Sequence, residues 1–344
     1  MIKFKLNDQF KKRFENFLSS ELFFNQPEHS KTDYWRYHSK QIKYSINKST
    51  VTLMGKSGNY IPEKKNSPTF FLKSAKTFIK KLIGLEKSNK LSYQSAFEKI
   101  MNIESDNLFD KLKIDKKKII AQSFSECKKQ FPFNYEVNEQ IIKSYYHINI
   151  LNSYIELSKT KFIAEIGAGN GNLMALLKYH FKTKCIINID LPETLTLCIP
   201  FLENLFPDAQ ILLPNEIGQK ISKNDLLSYD FIFLTPSQID ILEENLVELF
   251  INTDSFAEMN MSQIKEYINL IQKVSIKDSF FFCCNRLEKK SNSVSEGQNF
   301  ENMKPIKFSD YPFLNNEILF SEICKFHSLV QKDLLYLRLE KIKK

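Results

Sequence analysis

Apolar positions recur at helical intervals in the first half of the chain and gather into short unbroken runs in the second. Phe10, Phe14, Phe17, Leu18 and Leu22 share one helical face, as do Phe71, Ala75, Phe78, Ile79 and Leu82, so each set predicts an amphipathic helix. Residues 44–53 alternate around Asn47–Ser49 in a strand-like way, and 55–68 (GKSGNYIPEKKNSP) collects turn formers and predicts a loop. Further helical segments follow near 91–102, 106–113 and 117–130. Phe131-Pro132-Phe133 then interrupts the chain, because proline disfavours helix at the residue before it. A long helix over about 137–158 leads into the second half, and no repeat of 20–50 residues is visible.

From there the rhythm changes. Apolar runs at 162–166, 185–189, 211–213, 231–234, 247–251 and 279–284 predict strands, with helices at 172–181, 193–206 and 262–274 between them. That alternation predicts a parallel sheet with helices on both faces. The last two strand candidates, 318–326 and 334–340, are joined by a short connection with no helix expected in it. A parallel crossover needs a dozen or more residues, so this pair must be antiparallel. The expected fold is α/β, a Rossmann-like sheet ending in an antiparallel C-terminal hairpin, preceded by a mostly helical region. The expected organisation is a basic N-terminal region over 1–136, a connecting helix over 137–160 and a second domain over 161–344.

Composition narrows the class without choosing a function. The 344 residues are 42% hydrophobic and 26% charged, which excludes collagen-like and disordered chains and suits a soluble globular protein. A membrane span needs about 18 apolar residues in a row, and no such window exists. The first residues (MIKFKLNDQFKKRFENF) place charges where a signal peptide is apolar, so the expected location is the cytoplasm. Six cysteines lack C-x-x-C spacing and two are adjacent, which suits buried thiols rather than zinc or a disulfide framework. The five histidines form no H-x-x-x-H pair, and no metal site is expected. The net charge of +9 divides into +13 over residues 1–150 and −4 over 151–344. Only four of the 49 basic residues are Arg, the side chain suited to bidentate phosphate and base recognition, which weakens the case for nucleic acid as a partner. Oligomeric state is not readable from the sequence.

Three of the eight glycines, Gly167, Gly169 and Gly171, fall within five residues of FIAEIGAGNGNLMALL. This is a strand, a tight turn and a helix start, where glycine allows unusual backbone angles and the helix offers free N–H groups. Asp190 stands nineteen residues past Gly171, at the end of the next predicted strand, where a carboxylate can accept hydrogen bonds from both ribose hydroxyls. Together these form a nucleoside-binding arrangement. The dinucleotide pattern G-x-G-x-x-G would need glycine at 172, where Asn172 stands. Glu165, two residues before the first glycine, would repel a pyrophosphate and would suit the cationic methionine part of S-adenosylmethionine (SAM).

These residues resemble the class I SAM-dependent methyltransferases. The resemblance covers about 161–344 and implies a seven-stranded sheet with its last strand antiparallel and the cofactor over the first two strands. Motif I would be 165–171, Asp190 would bind the ribose, and Leu191 and Asn252 would complete the cofactor-binding set. The segments DLPE (190–193), NTDSFAEM (252–259) with Tyr267, and CNR (284–286) followed by DYP (310–312) are similar to a bacterial sugar O-methyltransferase family associated with surface glycans. That similarity implies a saccharide substrate, free or nucleotide- or lipid-linked.

Transfer to a weakly acidic hydroxyl calls for close alignment and a general base. Asp254 and Glu258, just past the strand at 247–251, are the candidates; the competing reading makes Asp254 or Ser255 the cap of the next helix. The long polar stretch 285–313 could close over the acceptor, with Asn285, Arg286 and Tyr311 as substrate contacts. Tyr145, Tyr146 and His147 on the connecting helix are expected to pack rather than react. Carboxylates are too sparse to assert Mg²⁺. The chain has no (D/N)PP(Y/F) or Pro-Cys motif, and no His-Asp pair of the kind plant-type small-molecule O-methyltransferases use. Three alternatives stay open: a nucleic-acid methyltransferase using the basic half, a small-molecule O-methyltransferase, and a non-catalytic cofactor-fold protein.

Overall fold

A computed structural model describes residues 2–26, 139–289, 306–330 and 334–344, together with 42–48, 50–54 and the positions 32, 35–36, 39–40 and 95–96. The loop expected at 55–68, the helices expected at 71–82, 106–113 and 117–130 and the Phe131-Pro132-Phe133 break lie outside the described residues. So do most of the helix expected at 91–102, the middle of the 285–313 stretch, and Cys127.

The N-terminal residues form strand β1 (Ile2–Lys5), helices α1 (Asp8–Leu18) and α2 (Glu21–Phe24), and the hairpin strands β2 (Lys43–Asn47) and β3 (Thr50–Met54). The hairpin matches the alternation at 44–53. β1 was not foreseen; it joins the hairpin to make a small antiparallel sheet in the order β1-β3-β2. Helix α1 starts where the Asn7 side chain accepts a hydrogen bond from the Phe10 N–H at 2.7 Å. It buries Phe10, Phe14, Phe17 and Leu18, the face predicted from their spacing. These elements dock on the second half of the chain: Phe4 meets Phe201 edge-on, Asn7 donates to Glu203 at 3.1 Å, and the Arg13 guanidinium forks onto Glu216.

Helix α3 (Glu139–Tyr154) leads into the main sheet and buries Tyr145, Tyr146 and His147. There follow β4 (Phe162–Ile166), α4 (Asn172–Phe181), β5 (Cys185–Ile189), α5 (Pro192–Leu205), β6 (Ile211–Leu212), α6 (Lys223–Ser228) and β7 (Phe231–Leu234). The chain continues through β8 (Val247–Thr253), α7 (Met261–Val274), β9 (Ser275–Arg286), the small pair β10 (Glu288–Lys289) and β11 (Ile306–Lys307), β12 (Glu317–Ile323), α8 (Lys325–Val330) and β13 (Leu335–Lys341). Eight strands form the main sheet in the order β12-β13-β9-β8-β4-β5-β7-β6. All its pairings are parallel except those of β13 with β9 and β12.

This is the expected Rossmann-like sheet with an antiparallel C-terminal hairpin, with one correction: the sheet has eight strands, not seven. β7 takes the place beside β5, and the two-residue β6 adds an outer edge. It stays short because Pro214, which has no N–H to give, opens a 3₁₀ turn just after it. A second correction concerns the terminal hairpin, which carries the short helix α8 between its strands. Phe326 is fully buried there against Tyr146, with ring centroids 5.2 Å apart, and this anchors the connection to α3.

Neighbouring residues of each central strand point to opposite faces. Ile163, Ile186, Phe233, Leu249 and Phe282 join a core with α3, α4, α5 and the N-terminal elements, whereas Ala164, Ile187, Ile232, Phe250 and Phe281 join another with α7. The order of connection reverses between β4 and β8, and open sheets of this kind bind ligands at the carboxyl ends of the strands at such a point.

Candidate functional site

The glycine turn leaves β4 at that crossover. Gly167, Gly169 and Gly171 all have positive φ (75°, 61° and 81°), the left-handed backbone that glycine adopts without strain. Two of them are needed for protein packing: a Cβ on Gly167 would collide with the Ser255 side chain, and one on Gly171 would sit 2.6 Å from the Cys198 sulfur. Gly169 faces the neighbouring strand end, and its N–H donates to the Asp190 carboxylate at 2.9 Å. The Leu191 N–H donates to the other oxygen of Asp190 at 2.7 Å. Asp190 therefore ties the glycine turn to the start of α5.

A cavity opens over these residues. It is lined by Gly167, Gly169, Asp190 and Leu191 at one side, by Asp254, Ser255, Glu258 and Met259 at the end of β8, and by Gln263, Glu266 and Tyr267 from α7. Ser237 and Asp240 follow β7, and Thr32 and Trp35 reach in from the N-terminal region. Five lining residues are carboxylates (Asp190, Asp240, Asp254, Glu258 and Glu266), and among the described residues lining it there is no Lys, Arg or His. Glu165 lies behind the turn, 2% exposed, with one carboxylate oxygen buried and without a hydrogen-bond partner. Burial, and then the charge of Asp190, pushes the Glu165 carboxyl up to about 8. Burial pushes Asp190 up to about 7 although the Gly169 and Leu191 N–H groups pull it down. Carboxyls raised in this way are held partly neutral near pH 7, and a cationic ligand or a hydrogen-bond donor beside them would favour their ionised form.

Asp254 begins the loop after β8 with a left-handed backbone (φ 63°) and donates its N–H to the Cys284 carbonyl at 2.8 Å. Its carboxylate pairs with the Lys143 ammonium from α3. Burial alone would raise the Asp254 carboxyl, but the Lys143 charge outweighs it and holds the group below the usual carboxylate value. Burial acts in the opposite sense on Lys143, and the charge of Asp254 keeps its ammonium protonated. Lys143 is one member of the site that sequence reasoning missed; Thr32, Trp35, Asp240 and Glu266 of the lining are others. Lys143 lies 111 positions from Asp254, and its only signal was that it is the one Lys or Arg of α3. The capping alternative does not describe Asp254 or Ser255: Asn260 caps α7, accepting from the Gln263 N–H at 3.0 Å, and Ser255 makes no side-chain cap bond.

Several expected contact residues are placed away from the cavity. Asn252 donates to the Ile166 carbonyl and accepts from Asn285, whose own carbonyl oxygen takes the Ala257 N–H at 3.0 Å. Both side chains are fully buried, and their bonds bind together the ends of β4, β8 and β9. Tyr311, 5% exposed, packs among Phe256, Phe308 and Phe313. Arg286, at the end of β9, is half-buried and does not line the cavity. Neither Glu165 nor Gly171 lines it directly. Asp254 and Glu258 do, and Glu258 accepts a hydrogen bond at its main-chain carbonyl from the Thr32 hydroxyl at 2.8 Å.

No family model and no curated protein matches the chain. Solved structures do match it. A geranyl diphosphate methyltransferase in complex with SAM is 8% identical, with 59% of this chain and 87% of that one covered and a TM-score of 0.41. A SAM-dependent methyltransferase from Methanosarcina mazei is 11% identical over 57% of this chain and 98% of that one, at a TM-score of 0.38. The N-methyltransferase NodS from Bradyrhizobium japonicum is 11% identical over 58% and 97%, at 0.37. Likenesses this distant assign no residue a role. Among the described residues, no helix is long and apolar enough to cross a membrane, and no group of three or more His, Cys, Asp or Glu is placed to hold a metal ion. The described cysteines are all buried free thiols.

Proposed function

We propose that this chain is a SAM-dependent methyltransferase that acts in the cytoplasm on a sugar hydroxyl of a glycan or activated saccharide. The observation that carries the reading is the cavity at the sheet's crossover, where the raised Asp190 carboxyl lies beside a glycine turn and the described lining residues include no Lys, Arg or His. The donor set fits the cofactor. Asp190 lines the cavity and has acceptor capacity for ribose hydroxyls, and Glu165, buried behind the turn with one oxygen unpartnered, sets a second carboxyl beneath it whose ionised form a cationic ligand would favour. Leu191 and Gly169 would flank the same ligand. When bound, SAM supplies a methyl group on a positively charged sulfur.

The chain's own part is then to hold the acceptor and take its proton. Asp254, kept ionised by Lys143, accepts the hydrogen bond of the reacting hydroxyl and removes its proton as general base. Glu258 lines the same side of the cavity and orients a neighbouring hydroxyl. The basic N-terminal half would serve to draw in an anionic saccharide carrier while the acidic cavity takes the sugar itself. A polyanion entering the cavity would meet five carboxylates, which favours this reading over nucleic-acid methylation.

Two measurements test the proposal. Isothermal calorimetry should show SAM binding that Asp190→Ala weakens at least tenfold without loss of fold; unchanged affinity would remove the ribose assignment. A mass-spectrometric search should find a methylated glycan that vanishes when the gene is deleted.

A further inference from the structure

The glycine turn and Asp190 occupy one side of the cavity. The other side is finished by a piece of chain from far away in sequence. Thr32, 9% exposed, donates its hydroxyl to the Glu258 carbonyl at 2.8 Å, and the Arg36 N–H closes a helical turn back onto the Thr32 carbonyl at 2.9 Å. That turn sets Trp35, half-buried, into the cavity wall. Thr32, three residues before Trp35, is anchored at Glu258, which ties this piece of chain to the β8 end, where Asp254 stands. An indole offers a flat apolar face with a polar edge, and carboxylates accept hydrogen bonds from hydroxyls. A phosphate, by contrast, would find no cationic side chain among the described lining residues.

We infer that Trp35 is an acceptor-contacting residue. Its ring receives the face of an uncharged, polyhydroxylated ring, while Asp254, Glu258 and Glu266 take the hydroxyls. The part of the acceptor that enters the cavity is therefore neutral, and any phosphate of a carrier remains outside. This rests on the methyltransferase reading above.

Trp35 is the only tryptophan of the chain, so its emission reports this wall alone. The full-length protein would be saturated with S-adenosylhomocysteine, with binding checked by calorimetry, and acrylamide quenching of Trp35 measured. Methyl glucoside, methyl mannoside and methyl galactoside would be added in turn at high concentration, and then glucose 6-phosphate. The expected result is that at least one neutral pyranoside lowers the quenching constant about twofold or more and that the phosphate does not. Trp35→Leu should bind S-adenosylhomocysteine within about twofold of the parent. Indifference of Trp35 to all three pyranosides, equal protection by the phosphate, or a tenfold loss of S-adenosylhomocysteine affinity in Trp35→Leu would each overturn the inference. Failure of the parent protein to bind S-adenosylhomocysteine would instead strike the methyltransferase reading itself.

Discussion

Binding of SAM at pH 6.5 should expel protons from this protein. Glu165 and Asp190 are raised to about 8 and about 7, so at pH 6.5 they are roughly 97% and 76% protonated, together about 1.7 protons. A cationic amino group and ribose hydroxyls favour the ionised forms. Because the two carboxyls influence one another, the count belongs to the pair, and release of about one proton or more is expected. The ligand's own α-amino group, ordinarily near ~7.7–8.0, is already almost fully charged at this pH and takes up less than about 0.1 proton. Calorimetry in phosphate, PIPES and imidazole, whose ionisation enthalpies differ, gives the number directly as a slope. Affinity should also rise about tenfold per pH unit for each proton released, between about pH 5.5 and 6.5. Tight binding with no proton release, or with net uptake, would refute the reasoning. The ligand-free protein carries the converse effect. Both carboxyls have folded values above their unfolded ones, so their contribution to stability is whole below about pH 4 and is lost as pH rises toward about 8.

Other predictions follow from the same geometry. Lys143→Met leaves Asp254 without its partner, so the carboxyl should titrate higher and the acid limb of the pH–rate profile should move upward; an unmoved limb would separate Lys143 from the base. Asp254→Ala leaves the Lys143 ammonium, 9% exposed, unpaired and should cost about 1–2 kcal/mol in urea unfolding, less than the ~3–5 of a fully buried pair because Asp254 is partly open to the cavity. Restoring part of that loss with Lys143→Met in the same chain would complete the argument. Gly167→Ala must place a Cβ against Ser255 at φ 75° and should destabilise by more than the roughly 1–2 kcal/mol of the left-handed backbone alone. Equal stability in that variant would mean that the turn relaxes freely.

Much of the sheet was legible because its central strands are continuous apolar runs with turn formers at their ends. The strands at 162–166, 185–189 and 231–234 appear with the bounds their composition suggests. β9 runs longer than its apolar stretch because it begins at the buried Ser275 and passes through exposed Lys277 and Asp278, the latter with a left-handed backbone (φ 63°), before the apolar run. β1 was hidden by its length and its lysines, and α8 by a sequence that reads as readily as strand. The glycine turn and Asp190 were legible because their chemistry is local. The partner of Asp254 was not, since an ion pair between a helix and a distant strand end leaves no periodic trace. Asn252 and Asn285 show the opposite failure. Polar residues at strand ends look free in sequence, yet here each satisfies the other and a main-chain group in the interior.

An open sheet has rims, and a rim invites another copy to add a strand. At the β6 end, the Ile211 carbonyl accepts from the Arg13 guanidinium, which is itself gripped by Glu216. A charged plug from the first helix thus stands where a neighbour's backbone would have to dock. Arg13→Ala would leave the first helix's apolar face and the cavity in place but would unstopper this side. The loss would show first as concentration-dependent assembly, measurable by light scattering, rather than as a change in chemistry.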